Sequence, residues 1–226
     1  MWLCSLLGEV ATLRHVSNFG APANESDAES GQHYFTQSPA SSQNLRDLNV
    51  RLADQDLVLK TASGIFSPDH VDTGTKVLLR KVPAPPTSGH LLDVGAGWGP
   101  IALTLALRSP QATVWAVDVN ERALDLVRKN ARLAGVENVR ALTPDEVPSD
   151  IQFSTIWSNP PVRIGKQELR ALVSGWLERL TEDGVAWLVI QRHLGGDSLH
   201  RWLDEQGWNV ERAGSAKGFR VLRVQH

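Results

Sequence analysis

Apolar residues recur along the chain at two alternating periods, every second position in short runs and every third or fourth in longer ones. Short runs read as strands and longer ones as helices, because side chains alternate across a strand but return to one helix face every 3.6 residues. Val50-Arg51-Leu52 and Leu57-Val58-Leu59 flank the turn candidate Ala53–Asp56, which predicts a small hairpin. Ser63–Pro68 is a bend, and Asp72–Arg80 reads as a short helix capped by Asp72 or Thr73 and ended by Pro83, Pro85 and Pro86. Leu91 and Leu92 lead into a glycine-rich turn, a helix follows from Pro100, and a second apolar run ends at Asp118. Glu121–Ala134 has helical spacing through Ala123, Leu124, Val127 and Ala131, with Gly135 as its stop. Then come strands at Val139–Leu142, Phe153–Trp157 and Val185–Gln191, helices at Leu169–Leu180 and Leu199–Gln206, and closing strands at Trp208–Ala213 and Phe219–Val224. Trp115, Trp157 and Trp187 fall within apolar runs and read as core. The alternation predicts an α/β, Rossmann-like fold with a seven-stranded, mostly parallel sheet, and the closing pair predicts one antiparallel C-terminal strand.

Composition refines the boundaries. Ser17–Gln32 has almost no bulky apolar side chains, so residues 1–32 read as a flexible lead, 33–62 as a small β extension and 63–226 as the main domain. A hydrophobic content of 42% suits one ordinary α/β core, and a net charge of -2 predicts no strong general pull on nucleic acid. Cys4 is the single cysteine, which excludes an internal disulfide and suits a cytoplasmic protein. Met1–Gly8 is apolar without a basic flank, so no signal peptide is expected, nor any membrane span. The 7 histidines lack ligand spacing, and no metal site is expected.

Chemistry concentrates in His90–Asn120. Glycines let a backbone turn sharply and let a ligand approach without a Cβ in the way, and Pro100 suits a first helical position. A dinucleotide site follows Gly-x-Gly-x-x-Gly, with an acid about twenty residues on. Here Asp118 arrives at that distance, but the glycines alternate at Gly95, Gly97 and Gly99 and Asp93 precedes them. Asp-x-Gly-x-Gly-x-Gly resembles motif I of the class I S-adenosylmethionine-dependent methyltransferases. That resemblance implies a cofactor site in which Asp93, Gly95, Ala96 and Gly97 hold the methionine end and Asp118 binds the ribose hydroxyls, with Val119 beside it.

Ser158-Asn159-Pro160-Pro161 ends the strand from Phe153, and ligands in open α/β sheets sit outside the carboxyl ends of strands. Two prolines fix the backbone and remove two N–H donors, leaving carbonyls and the Asn159 amide as acceptors. Rigid acceptors suit a substrate amino group, whose lone pair they aim at a methyl donor. The tetrapeptide resembles motif IV of amino-methylating enzymes. Gly64-Ile65-Phe66-Ser67, Asp72-x-Gly74, Arg163-Ile164-Gly165 and Gly218-Phe219-Arg220-Val221 narrow the resemblance to the "methyltransferase small" group, which includes 16S rRNA guanine-N2 methyltransferases. It spans about Gly64 to Val224 and implies Asn159 and Pro160 as catalytic residues, S-adenosylmethionine as cofactor, and rRNA or the small ribosomal subunit as partner. Pro161, Val162, Arg163 and Lys166 are the expected substrate contacts. Two departures stand out. Val162 occupies the place of an aromatic residue that stacks on the target base, and the rRNA enzymes carry a second domain ahead of the catalytic one that the first sixty or so residues do not replace.

Single residues carry two readings each. Asp145 is a contact for the adenine amino group or part of a capped turn, and Phe66 packs under the adenine or joins the core. Arg163, Lys166, Arg170, Arg192, His193, Lys217 and Arg220 form a phosphate-binding rim or are solvated charges. Two further functions remain beside rRNA methylation: a glutamine-amide protein methyltransferase, and a non-catalytic, cofactor-binding RNA or assembly module.

Overall fold

The computed structural model describes residues 45–226; the expected lead, Cys4 and the first residues of the extension lie outside them. β1 (Arg46–Leu52) and β2 (Gln55–Thr61) pair antiparallel. Their turn is Ala53-Asp54 alone, with φ of 45° and 65°, the twist that closes a hairpin in two residues. Gln55 and Asp56, expected in the turn, are therefore strand residues opposite Leu52 and Arg51.

The main sheet has seven strands in the order β5-β4-β3-β6-β7-β9-β8. They are β3 (Ser88–Val94), β4 (Gln111–Val117), β5 (Val139–Leu142), β6 (Phe153–Ser158), β7 (Leu180–Gln191), β8 (Asn209–Ala216) and β9 (Phe219–Gln225). All neighbours from β5 to β7 are parallel, and β9 runs antiparallel to both β7 and β8. The Rossmann-like sheet with one reversed C-terminal strand is thus as the periodicity predicts.

Helices α1 (Thr73–Lys81), α2 (Pro100–Arg108) and α3 (Glu121–Leu133) cover one face; α4 (Lys166–Leu177) and α5 (Gly196–Glu205) cover the other. Adjacent Leu91 and Leu92 of β3 point into opposite cores, the period-2 alternation of a doubly covered strand. Trp115, Trp157 and Trp187 are all buried. α4 begins before Leu169 because its first turn, Lys166-Gln167-Glu168, is polar and leaves no apolar mark. Leu180, three residues after Leu177 and expected to end that helix, instead opens β7 opposite Phe153. β8 runs through a bulge at Arg212/Gly214, which makes Lys217-Gly218 the final turn instead of Gly214–Gly218.

The hairpin packs Leu48, Leu52 and Leu59 against Leu103 of α2 and Leu126 and Ala131 of α3. Asn130 of α3 fastens it. Its Oδ1 accepts the Lys60 N–H at 2.7 Å, and its Nδ2 donates to the carbonyls of Lys60 and Trp98, both at 2.9 Å. One buried amide therefore ties the hairpin to the glycine turn that contains Trp98. Asn130→Ala would leave these backbone groups unpaired, at a cost of about 2–4 kcal/mol. The expected fall in Tm, followed by circular dichroism, is roughly 5–15 °C; an unchanged Tm would remove the fastening assigned to this amide.

Candidate active site

The turn after β3 is built by backbone bonds. Gly95 and Ala96 donate to the Val117 carbonyl at 2.8 and 3.0 Å, locking the turn onto the end of β4. Gly95, Gly97 and Gly99 have φ of 79°, 56° and 99°, values that explain why glycines alternate here. Gly99 caps α2 but has no side chain to offer its free N–H groups. Asp93 supplies the missing acceptor from the strand beneath: its Oδ2 takes the Ala102 N–H at 2.9 Å. Burial raises the Asp93 pKa to about 8, the Ala102 bond opposes that rise, and the negative charge of Asp118 adds to it. At neutral pH the carboxyl is largely protonated. Asp93 lies beneath the turn and is not part of the cleft wall, which corrects its expected direct contact with a cofactor.

Asp118 follows β4 and faces the turn. Its Oδ2 accepts the Gly97 N–H at 2.8 Å and its Oδ1 the Asn120 N–H at 2.9 Å. Burial pushes its pKa up, and the N–H groups of Asn120, Gly97 and Val119 pull the other way. With about four acceptor sites on its two oxygens, the carboxylate keeps capacity beyond these N–H groups.

Asn159 leaves β6 on the other side of the turn. Its Nδ2 donates to Asp72 Oδ2 at 2.8 Å and to Thr75 Oγ1 at 3.1 Å. A carboxylate only accepts, so this pair fixes which end of the amide is nitrogen and leaves Oδ1 as the acceptor that Asn159 offers. Asp72 simultaneously caps α1, accepting the N–H groups of Gly74 at 2.7 Å and Thr75 at 3.2 Å. A Cβ on Gly74 would come within 2.8 Å of Phe219 Cε1 and 2.9 Å of Asp72 Oδ2, which accounts for the Asp72-x-Gly74 spacing. Ser158 Oγ donates to the Val94 carbonyl at 2.7 Å and holds β6 level with the turn.

These strand ends enclose a cleft of about 350 Å³. Phe66, Gly95, Gly97, Asp118, Val119, Asn159, Pro160, Pro161, Val162 and Arg163, all expected site residues, line it. Ala96 does not; it is buried and borders a small side cavity with Trp98. Pro144 lines the cleft in place of Asp145, because a capping box between Thr143 and Glu146 turns Asp145 outward into solvent. Lys166 is exposed at the start of α4, outside the wall. Phe66 is 49% exposed and Val119 44%, apolar faces presented at the cleft and not in the core. Asp72, Trp176, Gln191 and Phe219 also line it; Asp72 and Phe219 belong to the motifs that carry the family resemblance without an assigned role, and Trp176 and Gln191 read only as a helix face and a strand end.

Of the basic residues, Arg163, Lys166, Arg192, His193 and Lys217 are exposed near the mouth. Arg170 instead lies over the Trp202 ring at 5.1 Å, and Arg220 pairs with Asp197 and is largely buried, so neither is a free rim cation. Among the described residues no group of three or more metal-ligating side chains occurs, and no helix is long and apolar enough to cross a membrane.

The cleft fits S-adenosylmethionine. Its volume falls within the usual range for ligand pockets. The glycine turn admits a chain close to the backbone, Asp118 has spare acceptor sites for vicinal hydroxyls, and Val119 and Phe66 offer apolar faces to a flat ring. The reversed seven-stranded sheet, the turn after β3 and the acid after β4 define a class I S-adenosylmethionine-dependent methyltransferase. Residues 56–223 match the methyltransferase small domain, and the chain belongs to that family. It is 34% identical over 197 residues to the uncharacterized protein YbxB of Bacillus subtilis (strain 168), covering 86% of this chain and 98% of that one. It is also 34% identical over 175 residues to the ribosomal RNA small subunit methyltransferase C of Citrobacter koseri, covering 75% of this chain and 49% of that protein. Among solved structures, the T. thermophilus 16S rRNA N2 methyltransferase RsmC in complex with AdoMet and guanosine superimposes with a TM-score of 0.71 at 24% identity. That match covers 83% of this chain and 52% of the RsmC chain, so the chain spans about half the length of the RsmC proteins it matches.

The Asp93 carboxyl gives a pH signature. Between its ordinary value of 3.8 and its folded value of about 8, the folded chain holds a proton that the unfolded chain lacks. Stability from this group is therefore full at low pH and falls as pH rises through that window. Asp93→Asn keeps an acceptor for Ala102 and cannot ionise. Its urea midpoint relative to the parent is expected to climb between about pH 4 and about pH 8 and to level off above that; a constant difference would contradict the protonated state.

Proposed function

We propose that this enzyme methylates the N2 amino group of a guanine in 16S-type rRNA. The observation that carries the reading is the Asn159 amide, oriented by Asp72 and Thr75 so that its oxygen is the free acceptor. An exocyclic amino group conjugated to a base is a poor nucleophile. Asn159 Oδ1 and the Pro160 carbonyl accept its two hydrogens, favour a tetrahedral nitrogen and aim its lone pair toward the glycine turn. Pro160 and Pro161 hold these acceptors rigid and offer no competing backbone donor. S-adenosylmethionine supplies an electrophilic methyl group when bound. Asp118 accepts its ribose hydroxyls, Gly95 and Gly97 leave room for its methionine end, and Val119 and Phe66 flank its adenine. The proton lost from the amino group leaves through the open mouth of the cleft.

Arg163 and Lys166, with the exposed Arg192 and Lys217, contact RNA phosphates, which lets a chain of net charge -2 bind RNA through a local patch. The relatives named ribosomal RNA small subunit methyltransferase C support an rRNA substrate for this chain. Val162 meets the substrate beside Pro161 without stacking on it.

Asn159→Ala keeps both prolines but removes the oriented acceptor. Loss of such a group typically lowers the rate about 10²-fold to 10³-fold. The expected result is a collapse of methyl transfer from labelled S-adenosylmethionine into 30S subunits or naked rRNA, with cofactor affinity little changed. A variant as fast as the parent would refute the Asn159 assignment. A parent that binds cofactor yet labels no RNA, but labels a translation-factor protein, would favour the glutamine-amide reading; labelling of neither would favour a non-catalytic module. Separately, replacing Arg163 and Lys166 together by alanine is expected to reduce the salt slope of RNA binding by about two, since each phosphate contact contributes about one. An unchanged slope would leave both as solvated surface.

A further inference from the structure

Beyond Asn159 the cleft continues onto β7, and no residue there has yet been given a task. The order β4-β3-β6-β7 places Asp118, the glycine turn, Asn159 and Gln191 in sequence along one edge of the sheet. Everything suited to the cofactor lies on the β4 and β3 side, which leaves the β6 and β7 side for the acceptor. Its walls include Pro160, Val162, Leu194 and Phe219, with Arg163 at the mouth and Gln191 as the one uncharged polar side chain from β7. Leu194 is 47% exposed, an apolar surface with no cover.

The position of Gln191 follows from strand register. Ser158 of β6 pairs with Leu188 of β7, so Asn159 lies one residue past that pair and Gln191 three. Two residues of rise and one strand spacing separate them, about 8 Å between Cα positions in regular geometry. Both residues line the same cleft, Asn159 from the end of β6 and Gln191 from the end of β7. Gln191 is opposite Phe219 in the antiparallel pair β7–β9. Arg192 N–H donates to the Gly218 carbonyl at 2.8 Å, which ties the chain just after Gln191 to the turn before β9.

We infer that Gln191 reads the Watson–Crick edge of the target base while Phe219 supplies the aromatic face that Val162 lacks; this rests on the guanine reading above. Guanine presents three groups in a row along that edge: the N2 amino group, the N1–H donor and the O6 acceptor. With N2 held by Asn159 and Pro160, the next two groups need one acceptor and one donor, which a glutamine carboxamide provides together. Adenine methylated at N6 presents an N1 acceptor and then C2–H, and cytosine methylated at N4 presents two acceptors in succession. Neither satisfies both ends of the carboxamide, so the residue selects guanine.

The test uses the full chain with S-adenosylhomocysteine present, titrated by ligand-observed NMR with guanosine and with 2-aminopurine riboside. The second nucleoside keeps the 2-amino group but lacks both N1–H and O6. The parent is expected to prefer guanosine by about tenfold or more, the worth of one bidentate base contact. Gln191→Ala is expected to bind the two equally, with S-adenosylhomocysteine affinity unchanged as evidence that the exposed substitution leaves the fold intact. If the variant keeps the preference of the parent, Gln191 is not the reader while the guanine reading survives. If the parent binds neither nucleoside, or both equally, the guanine reading fails and this assignment fails with it.

Discussion

One carboxylate oxygen, Asp72 Oδ2, receives the N–H groups of Gly74 and Thr75 and the amide of Asn159. The start of α1 and the orientation of Asn159 are therefore a single constraint, spanning 87 residues of sequence. Its effects spread in both directions. Gly74 must be bare because the same oxygen and the Phe219 ring crowd its Cβ position, which draws β9 toward the cleft. Thr75, almost fully buried, completes the grip on the amide nitrogen. A side chain that rotates freely presents a donor as readily as an acceptor; one held through both amide hydrogens presents oxygen only. Preorganisation of this kind is set when the chain folds, so no reorganisation is needed at the reacting atom.

A second constraint lies at the glycine turn, where the fully buried Asp93 feels the charge of Asp118 on the cleft wall. Two ionised carboxylates so close together and shielded from water would repel strongly. The structure separates their tasks. Asp118 keeps three backbone N–H groups near it, which favours its charge against burial. Asp93 has one such bond and complete burial, and is the acid that holds the proton. Asp93 has a helix-capping task and Asp118 faces the cleft, so Asp93 shapes the cleft from below through the turn.

Much of this was legible in the sequence because the signals were periodic or local. Alternation gave the sheet, and the spacing of Asp93, the three glycines and Asp118 gave the turn and its flanking acid. Ser158-Asn159-Pro160-Pro161 gave the acceptor side. What escaped was tertiary. Asp72 reads as an N-cap, which it is, and nothing local says that its oxygen also takes an amide from β6. Asn130 sits mid-helix as an ordinary polar residue until the hairpin delivers Lys60 to it. Arg220 reads as a rim cation but is paired with Asp197. Of the two readings of Asp145 the structure shows the capped turn: the capping box of Thr143 and Glu146 sets its direction and leaves Pro144 on the cleft wall.

Val162 shows how a motif and a pocket can part company. Read along the chain, a valine after two prolines means that base stacking comes from elsewhere or is weaker. Read across the sheet, β9 returns antiparallel beside β7 and brings Phe219 to the same cleft. The antiparallel strand is then more than an edge closure: it delivers an aromatic ring to a place that the parallel strands reach only with their loops. Because Phe219 also closes on Gly74, the ring is braced from behind by the helix that Asp72 caps. The same capping residue thus stands behind both the oriented Asn159 amide and the aromatic wall beside it, which couples these two parts of the cleft through one short helix.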